Sequence, residues 1–133
     1  MRLPGWESRL AQCIDDARGR AFAWGVHDCA TWVADVRRAL TGEDAAADWR
    51  GKYSTEAGAI RAVRRRGYPG LAAWVSDLLG GPLDSPLMAQ RGDIVLDGTT
   101  GALGIATSGA AAFVSPDGLV FLPMDRCAMA WRV

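Results

Sequence analysis

The sequence predicts an α+β fold built as one domain over residues 1–133, with N-terminal helices packed on a small C-terminal antiparallel sheet. Three observations predict it. Apolar residues recur three and four apart through the first two thirds of the chain, as on the buried stripe of a helix. Beyond the loop "GGPLDSP" the texture changes to short apolar runs cut by Gly, Pro and Asp, as expected of strands and tight turns. The chain has 133 residues, half of them hydrophobic, which suits a single core. Segregation of helices from strands favours α+β over an alternating βαβ arrangement.

Residues 4 to 18 read as the first helix, with Pro4 near its first turn and Trp6, Leu10, Cys13, Ile14 and Ala17 on one stripe. The chain turns at "RGR". From Asp28 to Leu40, residues Cys29, Trp32, Val33, Val36 and Leu40 share a face, with Asp28 as N-cap and Gly42 as stop. A polar connector, "TGEDAAADWRGKY", precedes a third helix that Ser54 is placed to cap and that runs to about Arg66; "GLAAWVSDLLGG" supplies a short fourth. Strands follow in "RGDIVLDG", "GALGIATSG", "AAFV", "LVFLP" and "CAMAWRV". "SPDG", Ser115 to Gly118, forms a hairpin turn.

Fifteen basic and fifteen acidic residues cancel, so no overall field gathers polyanions, and nucleic acid is not expected as a partner. The dense basic stretch "RAVRRRG" is read as a solvated helix end closed by Gly67, with a phosphate site as the alternative. No apolar stretch reaches the length of a membrane span and the opening "MRLPGWESRL" has no apolar signal core, so neither membrane insertion nor export by a cleaved signal is expected.

Cys13, Cys29 and Cys127 are too few and too widely spaced for a disulfide framework or a metal knuckle, and a reducing folding compartment is the simpler reading. A mixed set of His27, Asp28, Cys29 and Cys127 has no recognised ligand spacing, so no metal and no cofactor are expected. Trp24, Trp32, Trp49, Trp74 and Trp131 read as core or interface anchors.

Cys29 has unusual surroundings: the segment "GVHDCATWVADV" places the chain's single histidine, His27, two residues before it. A thiol in the first turn of a helix meets unpaired backbone N–H groups and the positive end of the macrodipole, which favour its thiolate. The same donors serve as part of an oxyanion hole. A cysteine hydrolase further needs a base at the sulfur and a group to orient that base.

"DCATWVADV", then "QRGDIVL", then "GALGIATSG" and "AAFVSPDG" resemble, in order, the motifs of the NlpC/P60 family of papain-like cysteine peptidases and amidases. With the opening "WG…DC…W" and the connector "TGEDAAADWRGKYST", the chain looks most like a small NlpC/P60-like family of unknown function encoded in tailed phages and prophages. The resemblance implies a papain-like fold over residues 24 to 121. It puts Cys29 at the nucleophile position, Asp28, Gly92 and Asp93 at supporting positions, Ala102 where the family's base stands, and Ser115 at the orienting position. No histidine follows position 27, so no realignment restores the base. His27 is the candidate surrogate, although a solvent-facing or cap-region histidine is the plainer reading. For Cys29 the plainer reading is an inert thiol packed with Trp32, Val33 and Val36.

The expected function is a structural or interaction component of a phage or phage-like tail, near its tip, built on a catalytically degenerate domain. Its expected partners are other tail and tail-tip proteins, with peptidoglycan as a further one; its place is the virion tail, after folding in the host bacterial cytoplasm. The alternative is an active cysteine peptidase or amidase cleaving peptidoglycan stem peptides with Cys29 as nucleophile. A third reading is a peptide- or glycan-binding module, marked by an open groove at the start of the Cys29 helix lined by Trp24, Trp32 or Trp49.

Overall fold

A computed structural model describes residues 1–133 as four helices followed by a five-stranded antiparallel sheet, an α+β fold. The helices are α1 (Trp6–Arg18), α2 (Cys29–Thr41), α3 (Glu56–Arg65) and α4 (Leu71–Leu79). The strands are β1 (Ile94–Asp97), β2 (Leu103–Ala106), β3 (Ala110–Ser115), β4 (Gly118–Pro123) and β5 (Cys127–Trp131), in the spatial order β4-β3-β2-β1-β5. No helix is long and apolar enough to cross a membrane.

Local sequence explains where α2 begins and ends. The Asp28 carboxylate accepts the backbone N–H of Thr31 at 2.9 Å while the Thr31 hydroxyl accepts the Asp28 N–H at 2.9 Å, a reciprocal box that satisfies two otherwise orphaned donors. Gly42 closes the helix in the left-handed conformation at φ 87°. The third helix is capped by Thr55, whose hydroxyl accepts Gly58 N–H at 3.0 Å, one residue beyond the expected Ser54. Either hydroxyl suits an N-cap, and the side chain whose backbone turns at the first helical residue takes the role.

Strand alternation sorts the sheet into two faces. Ile94, Leu103, Ile105, Ala112, Val114 and Trp131 pack against Trp32, Val33, Val36 and Leu40 of α2 and Val75 of α4, forming the larger core. Each such fully buried aliphatic side chain stabilises by roughly 2 kcal/mol. Val95, Ala106, Ala111, Phe113 and Ala130 face the other way, under Leu83, Ala89 and Met124 from the loops before β1 and β5. Gly104 lies in β2 because a Cβ there would meet the Ala112 carbonyl and the Phe113 ring, both at 2.6 Å.

Two features escape a reading of composition. The connector is not wholly polar: Ala46 and Trp49 are buried, and Trp49 stacks at a tilt on Trp74, ring centroids 4.4 Å apart. Asp93, with no exposed surface, accepts from Arg2, Arg132, Gln90 N–H and Val133 N–H at 2.8 to 3.0 Å, so one carboxylate ties both ends of the chain to the start of β1.

Candidate functional site

The start of α2, the connector and the β1–β2 turn converge on a cleft of about 440 Å³. Cys29 and Asp28 lie in its wall with Trp24, Trp49 and Tyr53; Ile60, Val63 and Leu71 supply an apolar side, and Thr100, Gly101 and Ala102 the opposite rim. The sequence-predicted residues Cys29, Asp28 and Ala102 are therefore brought together. Trp24 and Trp49 line the groove, whereas Trp32 is buried in the core.

Asp28 holds this arrangement in place. Its Oδ2 accepts Gly25 N–H at 2.8 Å and the Tyr53 hydroxyl at 2.7 Å, and its Oδ1 accepts the Thr31 N–H and hydroxyl at 2.9 and 3.0 Å. Both oxygens are occupied and the residue is 1% exposed, so the carboxylate works as a clamp joining three chain segments. Gly25 permits the clamp: its φ is +80°, and a Cβ there would stand 2.2 Å from the Tyr53 carbonyl oxygen. Burial, and then the hydrogen bond to Asp28, push the Tyr53 phenol well above its usual range, which keeps it a donor.

Cys29 is half-buried, and its thiol pKa is pushed up to about 11. Desolvation is the dominant cause and the Asp28 carboxylate adds to it; the backbone N–H groups of Leu103, Ala30 and Cys29 itself act in the opposite direction without prevailing. The thiolate expected from a helix N-terminus is thus not favoured, because withdrawal from water outweighs the local dipoles. No imidazole is among the groups acting on the sulfur. Leu103, immediately after Ala102, is the strand residue whose backbone dipole favours the thiolate.

The remaining sequence-predicted residues lie outside the cleft. His27 is 2% exposed, which corrects the solvent-facing reading: the 23–27 loop folds back on itself through Ala23 N–H to His27 C=O at 3.0 Å and His27 N–H to Ala23 C=O at 2.7 Å, drawing the ring inward. Its Nδ1 has no hydrogen-bond partner, and burial, followed by the Arg20 charge, lowers its pKa. Ser115 sits at the β3–β4 turn, where its hydroxyl donates to Gly118 C=O at 2.8 Å and accepts Asp117 N–H at 3.2 Å. The β2–β3 register pairs Ile105 with Ala112 and Ala106 with Ala111; extended toward the start of β2, it sets Ala102 across from Ser115. The observed ladder stops short of both positions, and the Ser115 hydroxyl is spent on the hairpin.

Tyr53 is the site residue that sequence reasoning missed. Its only signal is an aromatic residue at the end of a polar connector, directly before a helix cap, and nothing in that pattern points to Asp28 twenty-five positions away.

No curated protein matches the chain. A family model described as a domain of unknown function, DUF6950, matches residues 1–133, and the chain belongs to that family.

Proposed function

We propose that the protein is a non-catalytic interaction domain of the papain-like NlpC/P60 type, acting as a component of a phage or phage-like tail near its tip, with the cleft at the head of α2 serving as a binding surface. The observation that carries the reading is the wall around Cys29. The thiol opens a helix, as the family's nucleophile does, and shares a cleft with Ala102, yet burial raises its pKa to about 11 and the single histidine, His27, is not in the cleft wall. A hydrolase without its general base forfeits roughly 10²–10⁴-fold in rate. The helix-then-sheet order, and the presence of Cys29 and Ala102 in one cleft, support the papain-like assignment. The tail placement and the tail-tip partners rest on the resemblance of the sequence motifs.

Quantitative mass spectrometry of tails purified from the phage or prophage that encodes the chain tests the reading. The expected result is the chain at fixed stoichiometry beside tail-tip proteins, with infectivity unchanged by Cys29→Ala. Its absence from tails, or loss of infectivity in a Cys29→Ala chain that is still incorporated, would overturn it. One observation favours the second reading, a peptidoglycan amidase whose base comes from a neighbouring subunit: the cleft over Cys29 is open and has room for an inserted side chain.

A further inference from the structure

A second cleft, of about 650 Å³, lies on the other flank of α3 and meets the first at Tyr53. Most of its lining residues are polar, and Lys52, Arg61, Arg65 and Arg66 contribute cations against the single carboxylate of Asp48. Cations elsewhere in this neutral chain are mostly matched with acids: Arg2 and Arg132 with Asp93, Arg50 with Asp35 and Asp44, Arg126 with Asp97. The four cations of the cleft have no ion-pair partner. Charge is therefore balanced over the whole molecule and segregated at α3.

The segregation has a cost within the chain. Arg61 and Arg65 are four residues apart on α3, the spacing at which like charges on a helix repel. Arg66 is held in place: its guanidinium donates to Asp48 C=O at 2.8 Å and lies over the Trp49 ring at 5.1 Å from the centroid. Arg61 and Arg65 stand about 6 Å apart along the helix axis. Carboxylates on alternate residues of an extended peptide are about 6.6 Å apart, so each could meet one guanidinium fork in the planar bidentate geometry that arginine favours. Phosphates of a nucleic acid strand fit the cleft less well, because the chain has no net positive field and Tyr53, the cleft's only aromatic, has its hydroxyl turned to Asp28.

We propose that the Lys52, Arg61, Arg65 and Arg66 cleft is a docking site for an extended, carboxylate-rich segment of a partner protein. This names the partner chemistry of the interaction domain and rests on that reading. The segment lies along α3 with alternate acidic side chains on Arg61 and Arg65, and one end reaches Tyr53 at the entrance to the Cys29 cleft.

Fluorescence anisotropy with the full chain tests it, using a labelled decapeptide of alternating Glu and Ser, its Gln counterpart, and labelled oligothymidylate. The expected result is binding of the Glu peptide that weakens as salt rises, with none for the Gln peptide. Arg61→Glu with Arg65→Glu should weaken binding about tenfold or more, while Arg9→Glu, which alters an unpaired cation on α1, leaves it unchanged. Arg61→Gln with Arg65→Gln gives the same direction should the double reversal disturb α3. Absence of binding, equal losses for the α3 and Arg9 variants, or tighter binding of oligothymidylate would each overturn the proposal. Release of peptides from peptidoglycan by the same preparation would instead refute the non-catalytic reading while leaving the charge result to stand on its own.

Discussion

Alkylation of Cys29 by iodoacetamide across a pH series reads the state of the thiol directly. The three cysteines are separable by peptide mass mapping, and Cys29 lines an open cleft where the reagent can reach it. Raising a thiol from 9.0 to about 11 lowers the thiolate fraction near neutrality roughly a hundredfold. Intrinsic nucleophilicity rises with pKa and recovers roughly six- to tenfold of that loss. Cys29 should therefore react roughly ten to fifteen times more slowly than a free cysteine, and its rate should climb until about pH 11. The shift also predicts a stability trend. The folded state binds the proton more tightly than the unfolded chain, so the associated stability is complete below about pH 9 and is lost as the pH rises through about 11, on the order of 3 kcal/mol in all. His27→Gln should leave the alkylation profile in place, since His27 is not in the cleft wall. Reaction at neutral pH faster than a free cysteine, with an apparent pKa below the ordinary thiol value, would refute this reasoning.

Three further outcomes follow from buried polar groups. Asp28→Ala removes an N-cap and leaves Gly25 N–H, Thr31 and Tyr53 without their acceptor, a loss of about 3 kcal/mol that calorimetry should register as a Tm lower by about 10 °C. Asp93→Asn leaves Arg2 and Arg132 short of a buried counter-charge and should cost about 3 kcal/mol, with hydrogen exchange accelerated first at the two chain ends. His27 has a lowered folded pKa, so the folded state binds fewer protons than the unfolded one; the stability tied to it is present above about pH 6.5 and is lost as pH falls. Urea midpoints measured for wild type and His27→Gln should diverge accordingly on acidification, and parallel curves would show that the buried ring carries no such penalty.

Much of this architecture was legible in the sequence because it depends on local rules. Asp28 and Gly42 bracket α2 through capping chemistry that acts within a few residues. The "SPDG" turn and the alternating runs around it specify the β3–β4 hairpin. What escaped depends on contacts across long separations. The polar connector conceals Trp49, which is buried against Trp74 from α4, and Tyr53, whose hydroxyl finds Asp28 only after folding. The balance at the thiol is of the same kind: the helix N-terminus is written in the local sequence, but the desolvation that outweighs it arises only on folding. The inward turn of His27 likewise follows from a tight loop pairing with Ala23 that no spacing rule marks.

The most direct test of the central claim, that the cleft holds a nucleophile position without its base, is to put the base in. Ala102→His sets an imidazole at a position that borders the cleft and packs on the smaller core cluster, directly before Leu103. The account predicts that the pH profile of Cys29 alkylation then moves down from about 11 toward neutrality, as an imidazolium pairs with the thiolate. A folded Ala102→His protein whose Cys29 still titrates near 11 would contradict the claim, by showing that position 102 does not face the thiol as a base must.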